Sequence, residues 1–449
     1  MQEINPAIAD LPAPRAPTLR EAFWYWLKLG FVSFGGTAGQ IAIMHQDLVE
    51  KKRWISEKRF LHALNYCMVL PGPEAQQLAT YIGWLMHRTW GGIIAGGLFV
   101  LPSLLILIAL SWGYMRFGDL PQVAAMLYGI KPAVVAIVLF AAYRIGKRIL
   151  NNAMLWGIAI AAFMAISVLH LPFPAIIVAA ALFGHVAHRY YPARFNVNNA
   201  HAAASKRFGA AVIDDTTPTP AHAQFSWPTL WRRLAIGLGI WLAAMAMLIL
   251  TQGWQTALTQ MAWFFTKAAM LTFGGAYAVL PYVYQGAVEH YQWLTPHQMM
   301  DGLALGETTP GPLIMVVAFV GFVGGWSQTV LGADNLVLSG ILAATVVTFF
   351  TFLPSFLFIF IGAPLIESSQ NNLKLTAPLN AISAAVVGVV VSLAVFFAQL
   401  IFVPDATFKV DALAILITLF SLVALVKWNL SIIKLVLLCG IIGVVNYFF

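Results

Sequence analysis

Charge is what this sequence lacks. Only 9% of its 449 residues are Asp, Glu, Lys or Arg, against about 25% in soluble domains. Its 60% apolar content and mean hydropathy of +0.81 exclude an ordinary soluble domain and identify a polytopic α-helical membrane protein. The single-residue alternation of a transmembrane barrel is missing. Cysteine is scarce too: Cys67 and Cys439 lie far apart in apolar segments, so neither a disulfide framework nor a cysteine metal cluster is expected. There is no Walker loop and no helix with a nucleophile–base pair. ATP-driven transport and enzymology are disfavoured, and no catalytic residue, metal site or cofactor is expected. The net charge of +8 does not indicate nucleic acid, because the basic residues sit mainly between apolar segments, as positive-inside bias requires.

The apolar segments are interrupted in a regular way. Residues 23–44 break at Phe34-Gly35-Gly36-Thr37, and residues 60–86 break at Pro71-Gly72-Pro73. Unbroken spans follow near 91–115, 121–145, 153–169 and 173–187. A polar stretch, 188–232, reads as a flexible linker, with His185, His188, His201 and His222 in or beside it at spacings too irregular for a metal site. An extra span at about 234–252 comes next, and the pattern then restarts. Breaks at Phe273-Gly274-Gly275 and Pro310-Gly311-Pro312 precede spans near 339–363, 380–402, 411–427 and 430–447. A register shift of 239 residues superposes Lys28 on Lys267, Gln46 on Gln285, Glu50 on Glu289, Trp54 on Trp293 and both pairs of breaks. A shift of 252 superposes Leu101-Pro102-Ser103 on Leu353-Pro354-Ser355, which puts 13 additional residues around Gly325 to Asn335. The chain is an internal duplication.

Charge decides how the broken segments sit. Arg15 and Arg20 flank one end of the first and Lys51, Lys52 and Arg53 the other; a single crossing would put one set outside, against the positive-inside rule. Each piece is also too short for a span of about 20 residues. Both breaks are therefore read as tips of re-entrant hairpins. Threading the remaining spans leaves only Arg116, Lys267 and Lys409 outside and Lys131 and Lys434 within spans. The expected architecture is two inverted-topology repeats, each with two re-entrant hairpins and about four spans, plus one extra span. In boundaries this is a cytoplasmic arm 1–20 without a signal-type apolar region, a repeat 21–187, a cytoplasmic linker 188–232, a linking span 233–253 and an inverted repeat 254–449. The N-terminus is cytoplasmic and the C-terminus periplasmic.

Four hairpin tips, each exposing a helix N-terminus of about +0.5 charge, present roughly +2 to a bound oxyanion. The candidate anion-binding residues are Gly35, Gly36, Thr37, Pro71, Gly72, Pro73, Gln76, Gln77, Gly274, Gly275, Thr308, Thr309, Pro310, Gly311 and Pro312. Thr37 is placed as a helix cap and Pro73 at a first helical position. Lys131 lies inside an apolar span, where a charge costs about 2.5–3.5 kcal/mol, and is assigned as an anion ligand; Lys28 and Lys267 are read equally as ligands or as snorkelling side chains. Glu74 and Glu307, with Asp301 as a weaker candidate, provide proton coupling: an ionised carboxylate repels an anion and a protonated one does not. Trp24, Trp26 and Trp293 read as interface anchors.

At Phe31-Val32-Ser33-Phe34-Gly35-Gly36, Trp54-Ile55, Pro71-Gly72-Pro73-Glu74-Ala75-Gln76, Tyr81-Ile82-Gly83 and Leu101-Pro102-Ser103, the chain resembles the chromate ion transporter family, in its long, two-half form, over about residues 20–449. The resemblance implies an inner-membrane protein that exports chromate, confers chromate resistance and uses the proton-motive force. The second half keeps Phe-Gly-Gly and Pro-Gly-Pro but lacks Glu and Gln after the latter, so the halves are expected to differ in role. The expected partners are chromate, protons and the lipid bilayer, with a homodimer left open. Two other functions stand beside this one: a carrier of sulfate or a related oxyanion, for uptake or exchange, and a membrane scaffold or sensor that moves nothing.

Overall fold

The computed structural model describes residues 14–34, 36–190, 208–273, 275–368, 376–403 and 410–448; Gly35 and Gly274, two of the sequence-assigned tip residues, lie outside them. Among the described residues the fold is all-helical, apart from an isolated bridge between Ile55 and Ile213.

In the first half, α1 (Leu19–Val32) starts on a capping box in which the Glu21 amide donates to Thr18 Oγ1 at 3.2 Å and the Thr18 amide to a Glu21 carboxylate oxygen at 2.7 Å. After the first break come α2 (Gly36–His45) and a π-helical turn, Gln46–Lys51; α3 (Glu57–Val69) then leads to Pro71-Gly72-Pro73. α4 (Glu74–Phe117) has 44 residues, about 66 Å at 1.5 Å per residue and more than twice what a bilayer core needs. It is two helices joined end to end, because His87 (φ −133°) and Arg88 (φ 55°) leave helical geometry between them. The piece before the joint is the return leg of the second broken segment; the piece after it is the first span. The remaining helices of this half, α5 (Pro121–Ile149), α6 (Ala153–Ser167) and α7 (Phe173–Tyr190), coincide with the expected spans.

α8 (Trp227–Gln252) links the halves. The second half repeats the plan with α9 (Ala257–Leu271), α10 (Ala276–Tyr284), a π-helical turn Gln285–His290, α11 (Pro296–Thr308), α12 (Val316–Ser327), α13 (Leu336–Ser368), α14 (Thr376–Phe402), α15 (Ala412–Val426) and α16 (Ile432–Phe448). The duplication extends to backbone detail. The two π-helical turns are related by the shift of 239, and so are the left-handed residues that follow them, Arg53 (φ 48°) and Gln292 (φ 54°). In the stretch where the surplus was expected, residues 328–335 lie between α12 and α13 and include a 3-10 turn, Ala333–Asn335, where the first half has only the His87–Arg88 joint.

Among the described residues six helices are long and apolar enough to cross a membrane: α4, α5, α7, α8, α13 with the turn before it, and α14; α6, α15 and α16 are shorter but apolar. The chain is a multi-pass membrane protein. Its repeats are units of sequence, but they do not pack as separate bodies: α14 packs on α5, α6 and α7, α15 and α16 pack on α5, and α13 packs on α4. Small residues allow these approaches. A Cβ at Gly129 of α5 would stand 2.1 Å from the Cys439 carbonyl oxygen of α16, and one at Gly388 of α14 would stand 1.9 Å from the Ala159 carbonyl oxygen of α6.

The expectation of a flexible linker is corrected for residues 208–226. Val212 and Ile213 donate their amides to the Arg53 and Trp54 carbonyls at 3.0 and 3.1 Å, and the Ser56 amide donates to the Ile213 carbonyl at 2.9 Å. Ser56 Oγ donates to Asp215 at 2.6 Å, and His222 Nε2 donates to the Trp84 carbonyl at 3.0 Å. Polar composition marks the absence of a span; it does not mark freedom of the backbone.

Candidate functional site

The four breaks are joined in two reciprocal pairs. The Gly72 amide donates to the Thr272 carbonyl at 2.7 Å, and the Gly311 amide donates to the Ser33 carbonyl at 2.9 Å. The shift of 239 exchanges these two bonds, since it carries Ser33 onto Thr272 and Gly72 onto Gly311. Each Pro-Gly-Pro tip is therefore held by the first break of the other half. Both tip glycines are left-handed, with φ of 126° and 101°, a conformation that strains any side chain. The space is closed as well: a Cβ on Gly72 would stand 2.4 Å from Ser355 Oγ, and one on Gly311 would stand 2.8 Å from Ser103 Cβ.

Two cap assignments shift by one position. Pro73 is the residue before α4, so the helix begins at Glu74. Thr37 lies inside the first turn of α2, which begins at Gly36 (φ 70°); in the second half, Gly275 (φ 100°) immediately precedes α10. The glycines reverse the chain by positive φ, so the helix needs no side-chain cap there. The fourth returning helix opens with a 3-10 turn, Leu313–Met315, ahead of α12.

Most of the expected side-chain donors are committed within the tips. Gln77 Nε2 donates to the Pro71 carbonyl at 2.8 Å and Gln76 Nε2 to Thr80 Oγ1 at 3.0 Å. The Thr308 and Thr309 hydroxyls donate to the Leu305 and Gly306 carbonyls at 3.0 and 2.9 Å. Gln40, a residue sequence reasoning passed over, donates from Nε2 to both the Ser33 and Gly311 carbonyls and so braces one crossing. The polar atoms left over are different ones. Ser103 Oγ and Ser355 Oγ are buried without a partner, each beside the tip glycine of the opposite half, and Gln76 Oε1 and Gln77 Oε1 are unpartnered as well. A buried hydroxyl without a partner costs about 1–3 kcal/mol, so these four atoms are the polar groups here whose hydrogen bonding the described residues do not satisfy. The signal was present in the sequence: Leu-Pro-Ser occurs in both halves, but it served only to align them.

The carboxylates lie at the tips with cations nearby. Glu74 accepts no hydrogen bond among the described residues, and Arg148 acts on it electrostatically. Glu307 accepts a hydrogen bond from the Tyr277 hydroxyl, and Arg144 is the cation that acts on it. Arg148 also approaches Met68 Sδ at 4.0 Å, and Met68 is the repeat counterpart of Glu307. Arg144 and Arg148 were read from the sequence only as cytoplasmic flanking charge. In the structure α5 brings both to the tips, with their side chains exposed while Glu74 and Glu307 are half-buried.

The other candidates lie apart from this centre. Lys131 Nζ stands 3.6 Å from Asp301 Oδ2, which also accepts from the Tyr114 hydroxyl at 3.0 Å. The anion-ligand candidate and the third proton-coupling candidate are thus an ion pair between α5 and α11. A second charged crossing joins α3, α4 and α13: Arg59 pairs with Glu367, which also accepts from the Tyr81 hydroxyl, and Arg59 Nη2 donates to the Thr217 carbonyl at 2.7 Å. Lys267 Nζ sits 5.5 Å over the Trp263 ring, and Lys28 lines a separate surface cavity.

Apolar spans around paired broken helices, with charged groups held at the crossings, define a polytopic membrane transporter. The chain belongs to the chromate transporter family, whose sequence profile matches it twice, over residues 20–185 and 259–444. It is 31% identical over 410 residues to a chromate transport protein of Cupriavidus metallidurans, covering 89% of this chain and 88% of that one. It is 32% identical over 430 residues to a chromate transport protein of Pseudomonas aeruginosa, covering 94% and 91%. A probable chromate transport protein of Synechococcus elongatus is 28% identical over 379 residues, covering 84% and 83%. No solved structure matches the chain.

Proposed function

We propose that this chain exports chromate across the inner membrane by alternating access, driven by the proton gradient. The substrate class comes from the family and from the names its relatives carry. The observation that carries the mechanism is the reciprocal pairing of Gly72 with Thr272 and Gly311 with Ser33. The two bonds tie each half's tip to the other half, which supports reading the four breaks as one site, and exchange of the two halves about it would expose it to opposite sides in turn. The halves are taken as inverted, with the N-terminus cytoplasmic and the C-terminus periplasmic, because that arrangement keeps the basic loops inside.

Chromate is a tetrahedral dianion. Helix N-termini at α2, α4 and α10 offer it backbone donors, the Ser103 and Ser355 hydroxyls offer two more, and Arg144 and Arg148 supply positive charge at the mouth. Glu74 and Glu307 couple it to protons: ionised, they repel the dianion, and protonated, they tolerate it or donate to it. Chromate and protons then bind the centre together, and the inside-negative component of the proton gradient favours exit of the remaining negative charge.

Respiring everted vesicles, acid and positive inside, test this. Saturable uptake of labelled chromate that collapses with the gradient is expected, and Glu74→Gln/Glu307→Gln should abolish the dependence of uptake on external pH. Flux unchanged by collapse of the gradient would overturn proton coupling, and flux confined to right-side-out vesicles would overturn export. Sulfate competing as well as chromate would reassign the chain as a general oxyanion carrier, and no saturable flux would leave a scaffold or sensor.

A further inference from the structure

The cavity that Lys28 lines lies beside α1, between it and the π-helical turn Gln46–Lys51, and encloses about 850 Å³. Four cations border it, Arg15, Lys28, Lys51 and Lys52, with Glu21 and Asp47. The acids are already paired: Arg15 holds Glu21 at 2.7 Å, and Lys51 holds Asp47 at 3.0 Å. Lys28 and Lys52 have no carboxylate partner among the described residues. Lys52 is instead held over the rings of Tyr25 and Trp54, at 5.6 and 5.2 Å. The Tyr25 hydroxyl, which also borders the cavity, is buried without a hydrogen-bond partner.

The second half carries the same backbone frame with different chemistry. The shift of 239 replaces Arg15 by Trp254, Tyr25 by Phe264, Asp47 by Gly286 and Lys52 by Tyr291. There the frame is filled. The Tyr291 ring stacks on Trp293 at 4.5 Å and 5°, and Phe264 lies against Gly286, whose Cβ would stand 2.2 Å from that ring. The fold therefore does not impose the first-half cavity; its side chains create it, replacing rings with ammonium groups.

We propose that this cavity binds an anionic phospholipid. Lys28, Lys52 and the Tyr25 hydroxyl would meet the phosphate, two charges and one donor against a headgroup's negative charge. Trp24 and Val32, the exposed apolar residues of the cavity's lining on α1, would receive the start of an acyl chain. That apolar end is what favours a lipid over a free oxyanion, which has nothing to place there. Lys28, Lys52 and Tyr25 are not tip residues, although α1 leads into the first break, so the proposed transport mechanism can fail without affecting lipid binding.

Native mass spectrometry of the full chain in detergent, titrated with phosphatidylglycerol or phosphatidylcholine, tests the proposal. Preferential retention of phosphatidylglycerol is expected. Lys28→Gln/Lys52→Gln should weaken it about 30-fold, the factor that about 1 kcal/mol per basic residue gives for two residues. Lys28→Arg/Lys52→Arg, which keeps both charges and guards against a folding defect, should retain it, and Lys267→Gln should leave it unchanged. Equal retention of the two lipids would overturn the proposal, as would unchanged binding by the glutamine variant or an equal loss in Lys267→Gln. Displacement of phosphatidylglycerol by millimolar inorganic phosphate would assign the cavity to a soluble anion and overturn the lipid.

Discussion

Removing Lys131 separates two roles that its position in an apolar span leaves open: ligand for the substrate, or half of an interhelical pair. Asp301 has a side chain only 3% exposed, and its Oδ1 has no partner. In Lys131→Met that carboxylate keeps one hydrogen bond, from Tyr114, and loses its only ion-pair partner among the described residues. Leaving a buried charge uncompensated costs about 3–5 kcal/mol. The lower end applies here, because 3.6 Å is long beside the 2.7–2.9 Å of a tight charge-assisted bond. Asp301→Asn costs less, about 1–3 kcal/mol, because Lys131 is 22% exposed and its stem can turn the ammonium toward water. The double variant Lys131→Met/Asp301→Asn removes both charges together. It should recover about 2–3 kcal/mol relative to the sum of the single changes. Unfolding of detergent-solubilised protein measures the cycle, and chromate flux into vesicles measures its consequence. If the pair is a crossing that opens and closes, the double variant regains flux along with stability. A ligand role would leave the double variant as inactive as Lys131→Met. Single-variant costs that simply add, within about 0.5 kcal/mol, would refute the claim that the two side chains act as a unit.

Three further outcomes follow from other parts of the structure. Ser103→Ala and Ser355→Ala delete hydroxyls that have no partner in the protein, so stability should not fall; a ligand role would instead raise the chromate KM about 10-fold or more, the loss of one hydrogen bond to a charged group. Gly129→Ala forces a methyl against the Cys439 carbonyl and should lower the unfolding midpoint by about 1–3 kcal/mol equivalent, whereas Gly157→Ala, where a Cβ meets nothing within 4 Å, should raise it slightly. His222 is held below its ordinary value of 6.5 by burial, with Arg88 and Arg233 adding repulsion of its charged form. The undocked segment therefore binds more protons than the docked one. Docking of residues 208–226 should be complete above about pH 6.5 and weaken as pH falls below it; protection factors at Val212 and Ile213, which correct exchange for its intrinsic pH dependence, measure this, and protection that rises on acidification would refute the assignment.

The spans and breaks were legible because their causes are local. Apolar runs set the helices, and Pro-Gly-Pro and Gly-Gly end them whatever lies around. Even the surplus loop at 328–335 could be placed, because two register shifts bracket it. The errors of one position at Thr37 and Pro73 have a local cause too: a glycine at positive φ turns the chain before any cap is needed. What composition concealed was contact. Residues 208–226 read as a tether because they are polar, yet their amides pair with the Arg53 and Trp54 carbonyls. Arg144 and Arg148 read as flanking charge because a count of cations assigns a side of the membrane and says nothing of reach.

The two charged crossings show why comparing the halves could not find them. Asp301 of α11 meets Tyr114 near the end of α4's second piece; Glu367, near the end of α13, meets Arg59 near the start of α3. α11 is the counterpart of α3, and α13 that of α4's second piece, so the same pair of elements crosses in both places. Yet the shifts carry Asp301 onto His62 and Glu367 onto Met115, and the alignment pairs each carboxylate with an unrelated residue. In the second crossing these two elements supply the cation and the carboxylate; in the first, α4 supplies only a hydroxyl and the cation, Lys131, comes from α5. Duplication fixes where helix ends meet, because packing follows the backbone; it leaves free which helix bears the charge. In the centre the reverse holds. Gly72 and Gly311 have backbone conformations that only glycine meets without strain, so both halves keep them and the sequence displays them, with Ser103 and Ser355 matched beside them. The expectation that Lys131 served the substrate rested on its cost in an apolar span. Its partner, Asp301, 170 residues away in sequence, accounts for much of that cost, which is why the cycle between them is the measurement that decides its role.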